Sequence, residues 1–274
     1  MRRSAPARRS CDFPDVEGAL LAWWLALCAA ATVNFALWAW SARLLARRAA
    51  SMPAELLASR RRLLWLSAVY ALGCAFRSVF PMVDLPRICL HDTWVSRVVV
   101  GRTVATIAEL CFALQWTMLL REAGASLVAR LIVPVIVLAE VSCWAAVLTS
   151  NYLFHALENS LWTLAAALAL AAFLSLRGRV QGAAERFLRA ASVCAVVYIA
   201  FMVTVDVPMY VERWLAADGS PSLEQELRTL LARCVVERNW DAWRRDALWL
   251  SPYFSVVVWT SIMLTHAPRL RVSR

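Results

Sequence analysis

Six charged residues lie within stretches of the sequence that are otherwise apolar and long enough to cross a membrane. A charge inside about 30 Å of hydrocarbon costs several kcal/mol unless it is paired or hydrated. Charged residues inside a membrane therefore occur where they bind a ligand, carry protons or pair with one another. The six are Arg77, Arg102, Glu109, Glu140, Glu158 and Asp206.

Helical spacing aligns these charges with further polar side chains. Arg102, Thr106 and Glu109 repeat at i, i+4 and i+7, and His155 and Glu158 are one turn apart, so each set shares one helix face. Because consecutive helices alternate in direction, these residues all fall toward the non-cytoplasmic side, where we predict a polar cavity. Its predicted ligand-binding residues are Arg77, Arg102, Glu109, Glu140, Asn159, Asp206 and Tyr253.

Ion pairing between helices is the structural alternative to a ligand site. Arg77 and Arg102 can neutralise two of the acids and lock the bundle without any ligand. Four acids face two arginines among the six residues, so some carboxyls must be protonated, bound to a cation or exposed to water. This imbalance favours a polar cavity, although the ion-pair interpretation stays open.

The segment 81–97 is the densest polar stretch on the same side, and it joins two of the helices that carry the charges. It is either solvated surface or the rim of the pocket, where an arginine meets an anionic headgroup or a carboxylate. The candidate rim residues are Asp84, Arg87, His91, Asp92 and Arg97.

Histidine and glutamate supply a catalytic alternative. His155 and Glu158 are the candidates for acid/base chemistry on a lipid substrate. With His91 they are also candidates for a Zn²⁺ site, but the chain has only 3 His, and we predict no bound metal. All 29 basic residues are arginine, so retinal and pyridoxal phosphate, which need a lysine amine, are excluded. No other feature identifies a cofactor.

The composition is that of a polytopic membrane protein. Hydrophobic residues make up 61% of the 274 residues, and 14 residues are Trp, proportions outside the range of soluble domains. The net charge of +10 comes from arginines in short segments between apolar runs, a pattern of membrane topology rather than nucleic-acid binding. Membrane lipids are therefore predicted partners and nucleic acid is not. No pattern indicates an oligomeric state.

We predict an all-α fold with a single integral membrane domain over 1–274, a polar tail at 1–17 and seven transmembrane helices. The arginine bias favours an outside amino terminus and a cytoplasmic carboxy terminus, although arginines in the polar tail oppose it. The predicted spans are 18–40, 62–80, 98–120, 127–149, 152–176, 188–210 and 247–266.

The connection 211–246 is predicted to carry an extra amphipathic helix at the membrane surface. This helix would begin near Pro221 and present one stripe of leucines. Trp240 and Trp243 follow among charged residues, a mixture suited to the headgroup zone. The helix either only closes the loop or forms a lid over the pocket.

The eight cysteines contain no CxxC pair, and most lie in apolar runs, where Cys is ordinary small filler. Cys89 and Cys234 are both predicted on the outer side. A disulfide between them is one alternative, and two free thiols are the other.

Three functions remain open. We favour binding or transport of a small-molecule or lipid-like ligand, with the arginines as anion contacts and the acids as proton or cation partners. The first alternative is an intramembrane lipid-modifying enzyme, for instance a metal-dependent hydrolase. The second is a structural or receptor-like subunit whose charges only hold the helices together.

Overall fold

Helices make up most of the chain. The structure is a computed structural model that describes residues 17–217 and 234–270, so residues 1–16 of the predicted tail and the helix predicted near Pro221 lie outside the described residues. Seven long helices run through the described part, and the all-α prediction is confirmed. They are α1 (Gly18–Arg48), α2 (Ala54–Val79), α3 (Val98–Glu122), α4 (Ser126–Thr149), α5 (Tyr152–Arg177), α6 (Ala183–Leu215) and α7 (Trp240–Leu264).

Six of these helices, all except α2, are long and apolar enough to cross a membrane. Arginines near both ends of α2 reduce its apolar content. Large apolar side chains such as Leu72, Val141 and Leu248 are exposed, whereas the six charged residues named first in the sequence are all buried. Apolar side chains outside and charged side chains inside are what a hydrocarbon environment requires. With six helices of spanning length, the chain is a multi-pass integral membrane protein.

Helices that follow one another in the chain pack side by side from α1 to α6, and α7 returns to pack on α1 and α2. Four of the six connections have five residues or fewer, so the helices that they join run antiparallel. Gly124 and Ser150 make two of these turns in left-handed conformations, with φ of 86° and 50°. The carboxyl ends of α2, α4 and α6 therefore meet the amino ends of α1, α3, α5 and α7 at one end of the bundle.

A small three-stranded sheet covers this end. β1 (Met82–Val83) pairs antiparallel with β2 (Ile88–Cys89), which pairs in parallel with β3 (Val235–Val236). A disulfide joins Cys89 to Cys234, so of the two alternatives the structure has the bonded one. We call residues 80–97 with 234–239 the cap, and the end that they cover the capped end.

The cap rests directly on the first turn of α3. A Cβ added to Gly101 would lie 1.8 Å from Sδ of Met82, far inside van der Waals contact, so only glycine at this position leaves room for the Met82 side chain as it is placed. Arg102 is the next residue along α3. The same close approach therefore brings the cap down onto the buried charges.

The predicted loop over 211–246 is wrong at both ends, because α6 and α7 extend into it from either side. Capping and burial prolong α7 beyond its apolar run: Asn239 Oδ1 accepts a hydrogen bond from Asp241 N at 2.8 Å. Trp243, expected in the headgroup zone, is fully buried and donates to the carbonyl of Glu237 at 3.0 Å. A buried indole with its N–H satisfied favours helix at this position.

Two of the long helices contain a π-helical turn next to a proline. In α6 the turn Met202–Asp206 comes just before Pro208, and in α7 the turn Tyr253–Val257 comes just after Pro252. Proline removes a backbone donor and disturbs the regular helical hydrogen bonds, and π turns are frequent at functional sites. Each turn contains one residue that was predicted to bind a ligand.

Candidate functional site

A buried group of charges joins α3 to α4 at the capped end. Nη2 of Arg102 contacts Oε2 of Glu109 in its own helix and lies 2.7 Å from Oε2 of Glu140 in α4. Thr106 donates to the same Glu140 oxygen at 2.6 Å. The three residues of α3 share one face because of their helical spacing. A single guanidinium nitrogen is therefore shared by two carboxylates from two helices.

Two more carboxyl groups approach the same guanidinium from other elements. Oδ2 of Asp84 in the cap and Oε1 of Glu158 in α5 each lie 3.7 Å from Nη1 of Arg102. We call Arg102, Asp84, Glu109, Glu140 and Glu158 the Arg102 cluster. One buried positive charge thus faces four carboxyl groups, which come from α3, α4, α5 and the cap.

Helices α7 and α2 lie against one side of the Arg102 cluster. Tyr253, in the π turn of α7, donates its hydroxyl to Oε1 of Glu109 at 2.7 Å. The Arg77 guanidinium lies 5.9 Å from the ring centroid of Phe254 and donates to the carbonyl of Met82 at 3.2 Å. It also interacts electrostatically with Glu109. The structure brings both predicted residues to the cluster, with Arg77 hydrogen-bonded to backbone.

His155 and Glu158 lie side by side in the first turns of α5. Nδ1 of His155 is 2.8 Å from Oε2 of Glu158, and the imidazole lies 5.0 Å from the ring of Tyr210. Sγ of Cys143 in α4 is 3.9 Å from the same nitrogen. Sequence reasoning missed Cys143 by treating it as apolar filler. Its position three residues after Glu140 was a signal that it faces the same way.

Asp206 is hydrogen-bonded to α5, and within the described residues it forms no ion pair with Arg102. Asn159 donates through Nδ2 to Oδ2 of Asp206. Further along α6, the guanidinium of Arg213 lies 5.7 Å from the ring of Tyr210 and 6.0 Å from that of Tyr152. Sequence reasoning missed Arg213 because the predicted span stopped at 210. Its spacing of seven residues from Asp206 places it on the same face.

The residues predicted to form a rim lie in different environments. Asp84 belongs to the Arg102 cluster, whereas Arg87 donates to the carbonyl of Val147 at 2.8 Å and so ties the cap to the carboxyl end of α4. Asp92 is exposed, and Arg97 lies half-buried just before α3. The predicted rim is therefore partly surface, partly a structural tie and partly site.

His91 packs in the cap against aromatic rings. Its ring centroid is 5.2 Å from that of Trp24 and 6.0 Å from that of Phe80, and burial lowers its pKa. His91 does not belong to the group of possible metal ligands, whose ligand atoms all lie within 4.8 Å of one another. Within the described residues that group is Cys143, His155 and Glu158.

The charges of the Arg102 cluster do not balance. Arg102 satisfies Glu109 and one oxygen of Glu140, as the ion-pair interpretation requires. Among the described side chains, however, Oδ1 of Asp84 and Oε1 of Glu140 are buried and have no hydrogen-bond partner. Buried carboxylate oxygens without partners are costly. The arrangement is therefore suited to hold protons or a cationic group.

No protein family model matches this chain, and neither does any curated protein or solved structure.

Proposed function

We propose that this protein binds or transports a small-molecule or lipid-like ligand that carries a cationic group, and that the Arg102 cluster is its binding site. The observation that carries the proposal is the set of four carboxyl groups around one buried guanidinium. In a medium of low dielectric constant the excess negative charge must be neutralised. An ammonium or guanidinium group of a ligand supplies that charge, and the two unpartnered oxygens of Asp84 and Glu140 accept its hydrogen bonds.

Arg77 extends the proposal to an anionic group on the same ligand. Its Nε is buried without a hydrogen-bond partner among the described residues, and a guanidinium pairs well with carboxylate or phosphate. Nη2 of Arg102 is already shared between two carboxylates, so we assign Arg102 to holding the acids in place. A ligand with both charges, cationic toward Glu140 and anionic toward Arg77, fits these groups best.

Binding can be tested on the full chain purified in detergent, with choline, glycine betaine and spermidine as probes in a thermal-shift assay and native mass spectrometry to detect co-purified molecules. We expect at least one probe or co-purified molecule to stabilise the protein, and Glu140→Gln to abolish this stabilisation. Glu55→Gln, which changes an exposed acid of α2, is the control and should bind as the wild type does. Equal binding by Glu140→Gln, or no binding to any candidate, would contradict the proposal.

We further propose that α2 is the seventh spanning helix and that the capped end faces away from the cytoplasm. Two observations support this. Trp65 and Leu72 of α2 are exposed like the lipid-facing residues of the other helices, and a disulfide in the cap is expected in an oxidising compartment. Because α1 begins at the capped end, the amino terminus would lie outside, and an odd number of spans would leave the carboxy terminus in the cytoplasm.

A membrane-impermeant maleimide tests this orientation. In intact cells Thr93→Cys, in the cap, should be labelled, and Ser51→Cys, between α1 and α2, should be labelled only after the membrane is opened. The opposite result would invert the orientation.

An intramembrane lipid-modifying enzyme is the second candidate function. It is favoured by the 2.8 Å contact between His155 and Glu158, which is the geometry of an acid/base pair. Release of fatty acid or headgroup from labelled phospholipid vesicles, lost in His155→Ala and kept in His266→Ala, would support the enzyme over the binding protein.

A further inference from the structure

We propose that Cys143, His155 and Glu158 form a binding site for one transition-metal ion, Zn²⁺ by its ligand chemistry. Glu158 belongs to the Arg102 cluster as well, through its other carboxylate oxygen, but the inference does not rest on the ligand that we propose for that cluster. One ligand atom from each of the three residues lies within 4.8 Å of the other two, and all three residues are buried. The tight turn between α4 and α5 brings these three positions together from two helices.

Two of the three distances between ligand atoms are close to those of a tetrahedral zinc site, and the third is within 4.8 Å. Sγ of Cys143 is 3.9 Å from Nδ1 of His155, and that nitrogen is 2.8 Å from Oε2 of Glu158. With the usual bond lengths to zinc, sulfur and nitrogen ligands are about 3.5 Å apart and nitrogen and oxygen ligands about 3.4 Å. Small side-chain rotations, of about half an ångström at the ligand atoms, would bring the group to this geometry.

The chemistry of the three ligands selects the kind of ion. Thiolate, imidazole and carboxylate suit Zn²⁺ and related transition metals, whereas Mg²⁺ and Ca²⁺ prefer oxygen ligands throughout. The thiolate of Cys143 and the carboxylate of Glu158 carry two negative charges, which match a divalent ion. On binding, the thiol proton of Cys143 leaves for solvent and the sulfur lone pair bonds to the metal, so binding should weaken as the pH falls.

A purely structural hydrogen bond would account for His155 and Glu158 alone, whereas a metal site also accounts for Cys143. A His155 and Glu158 hydrogen bond needs no cysteine beside it, yet Cys143 lies against the same nitrogen. A water molecule can occupy the fourth coordination position, which three protein ligands leave open.

Cobalt substitution tests this site directly. The full chain is purified in detergent, freed of metal with a chelator, and titrated with Zn²⁺ against a chromophoric competitor and separately with Co²⁺. We expect one Zn²⁺ per chain and a near-ultraviolet absorption band from thiolate bound to Co²⁺. Cys143→Ser and His155→Ala should each weaken Zn²⁺ binding by about tenfold or more, since even outer-shell changes cost about that much.

The controls separate metal loss from misfolding. Cys74→Ser removes a cysteine that is buried to a similar extent in α2, and it should keep both the Zn²⁺ stoichiometry and the thiolate band. If Cys143→Ser does not fold, the thiolate band of the wild-type protein still decides the matter. Absence of that band, or equal Zn²⁺ binding by wild type and both variants, would overturn the proposal. Probe binding that is lost in Glu140→Gln tests the ligand site independently.

Discussion

Nη2 of Arg102 lies 2.7 Å from Oε2 of Glu140, and this contact joins α3 to α4 through two side chains that are both nearly inaccessible to solvent. The pair is not isolated, because three further carboxyl groups approach the same guanidinium. Removing the positive charge and removing one negative charge should therefore have different consequences.

Arg102→Gln should destabilise the protein more than Glu140→Gln. Loss of the guanidinium leaves four buried carboxyl groups without their cation, and breaking a buried pair in this way costs about 3–5 kcal/mol. Glu140→Gln reduces the excess of acids and leaves the contact with Glu109 in place. Unfolding in detergent, followed by circular dichroism, measures both changes. Thr103→Ala, an exposed neighbour, is the control, and equal losses in the two cluster variants would argue against the charge imbalance.

Opening the cap disulfide should lower stability without removing a helix. The Cys89→Ser, Cys234→Ser double variant releases a link between residues 145 positions apart, and the loss should be about 2–4 kcal/mol. Cys194→Ser changes an exposed free cysteine and should unfold as the wild type does. If dithiothreitol left the unfolding midpoint of the wild type unchanged, the cap would not depend on this bond.

Gly101→Ala should destabilise the protein by pushing the buried side chain of Met82 away from the first turn of α3. Overpacking of this kind costs about 1–3 kcal/mol, and the added methyl would meet a sulfur atom at 1.8 Å. Met82→Ala makes room for that methyl, so the double variant should lose less than the sum of the two single variants. Strict additivity of the unfolding free energies would show that the two positions do not meet.

Stability should fall as the pH drops below the ordinary histidine pKa, partly because of His266. Nε2 of this residue lies 2.8 Å from Oγ of Ser41, and burial, with Arg48 and Arg60 nearby, lowers its pKa in the folded protein. Below about pH 6.5 the unfolded chain binds a proton at this position that the folded protein resists, so the free energy of unfolding decreases. The decrease should be smaller in His266→Gln, and identical pH profiles for the two proteins would contradict this assignment.

Much of the architecture could be predicted from the sequence, because the length of an apolar run and the helical repeat are local properties of the chain. The predicted apolar runs overlap all seven long helices, although α1, α2 and α7 extend seven or eight residues beyond them. The spacing of Arg102, Thr106 and Glu109 identified a face on which both charged residues are buried. The ends of α6 and α7 were missed because capping by Asn239 and burial of Trp243 extend helix into polar sequence. Composition alone does not report those contacts.

The site itself was decided by tertiary structure. Helical spacing relates residues on one helix, but which faces meet depends on how each helix is rotated and crossed against its neighbours. The short turn after α4 places Cys143 beside His155, and the cap, which contacts α3 at Gly101, brings Asp84 to Arg102. The sequence by itself therefore determined that charges are buried in a membrane bundle. Packing between helices determined that four carboxyl groups surround one arginine and that a cysteine lies beside the histidine.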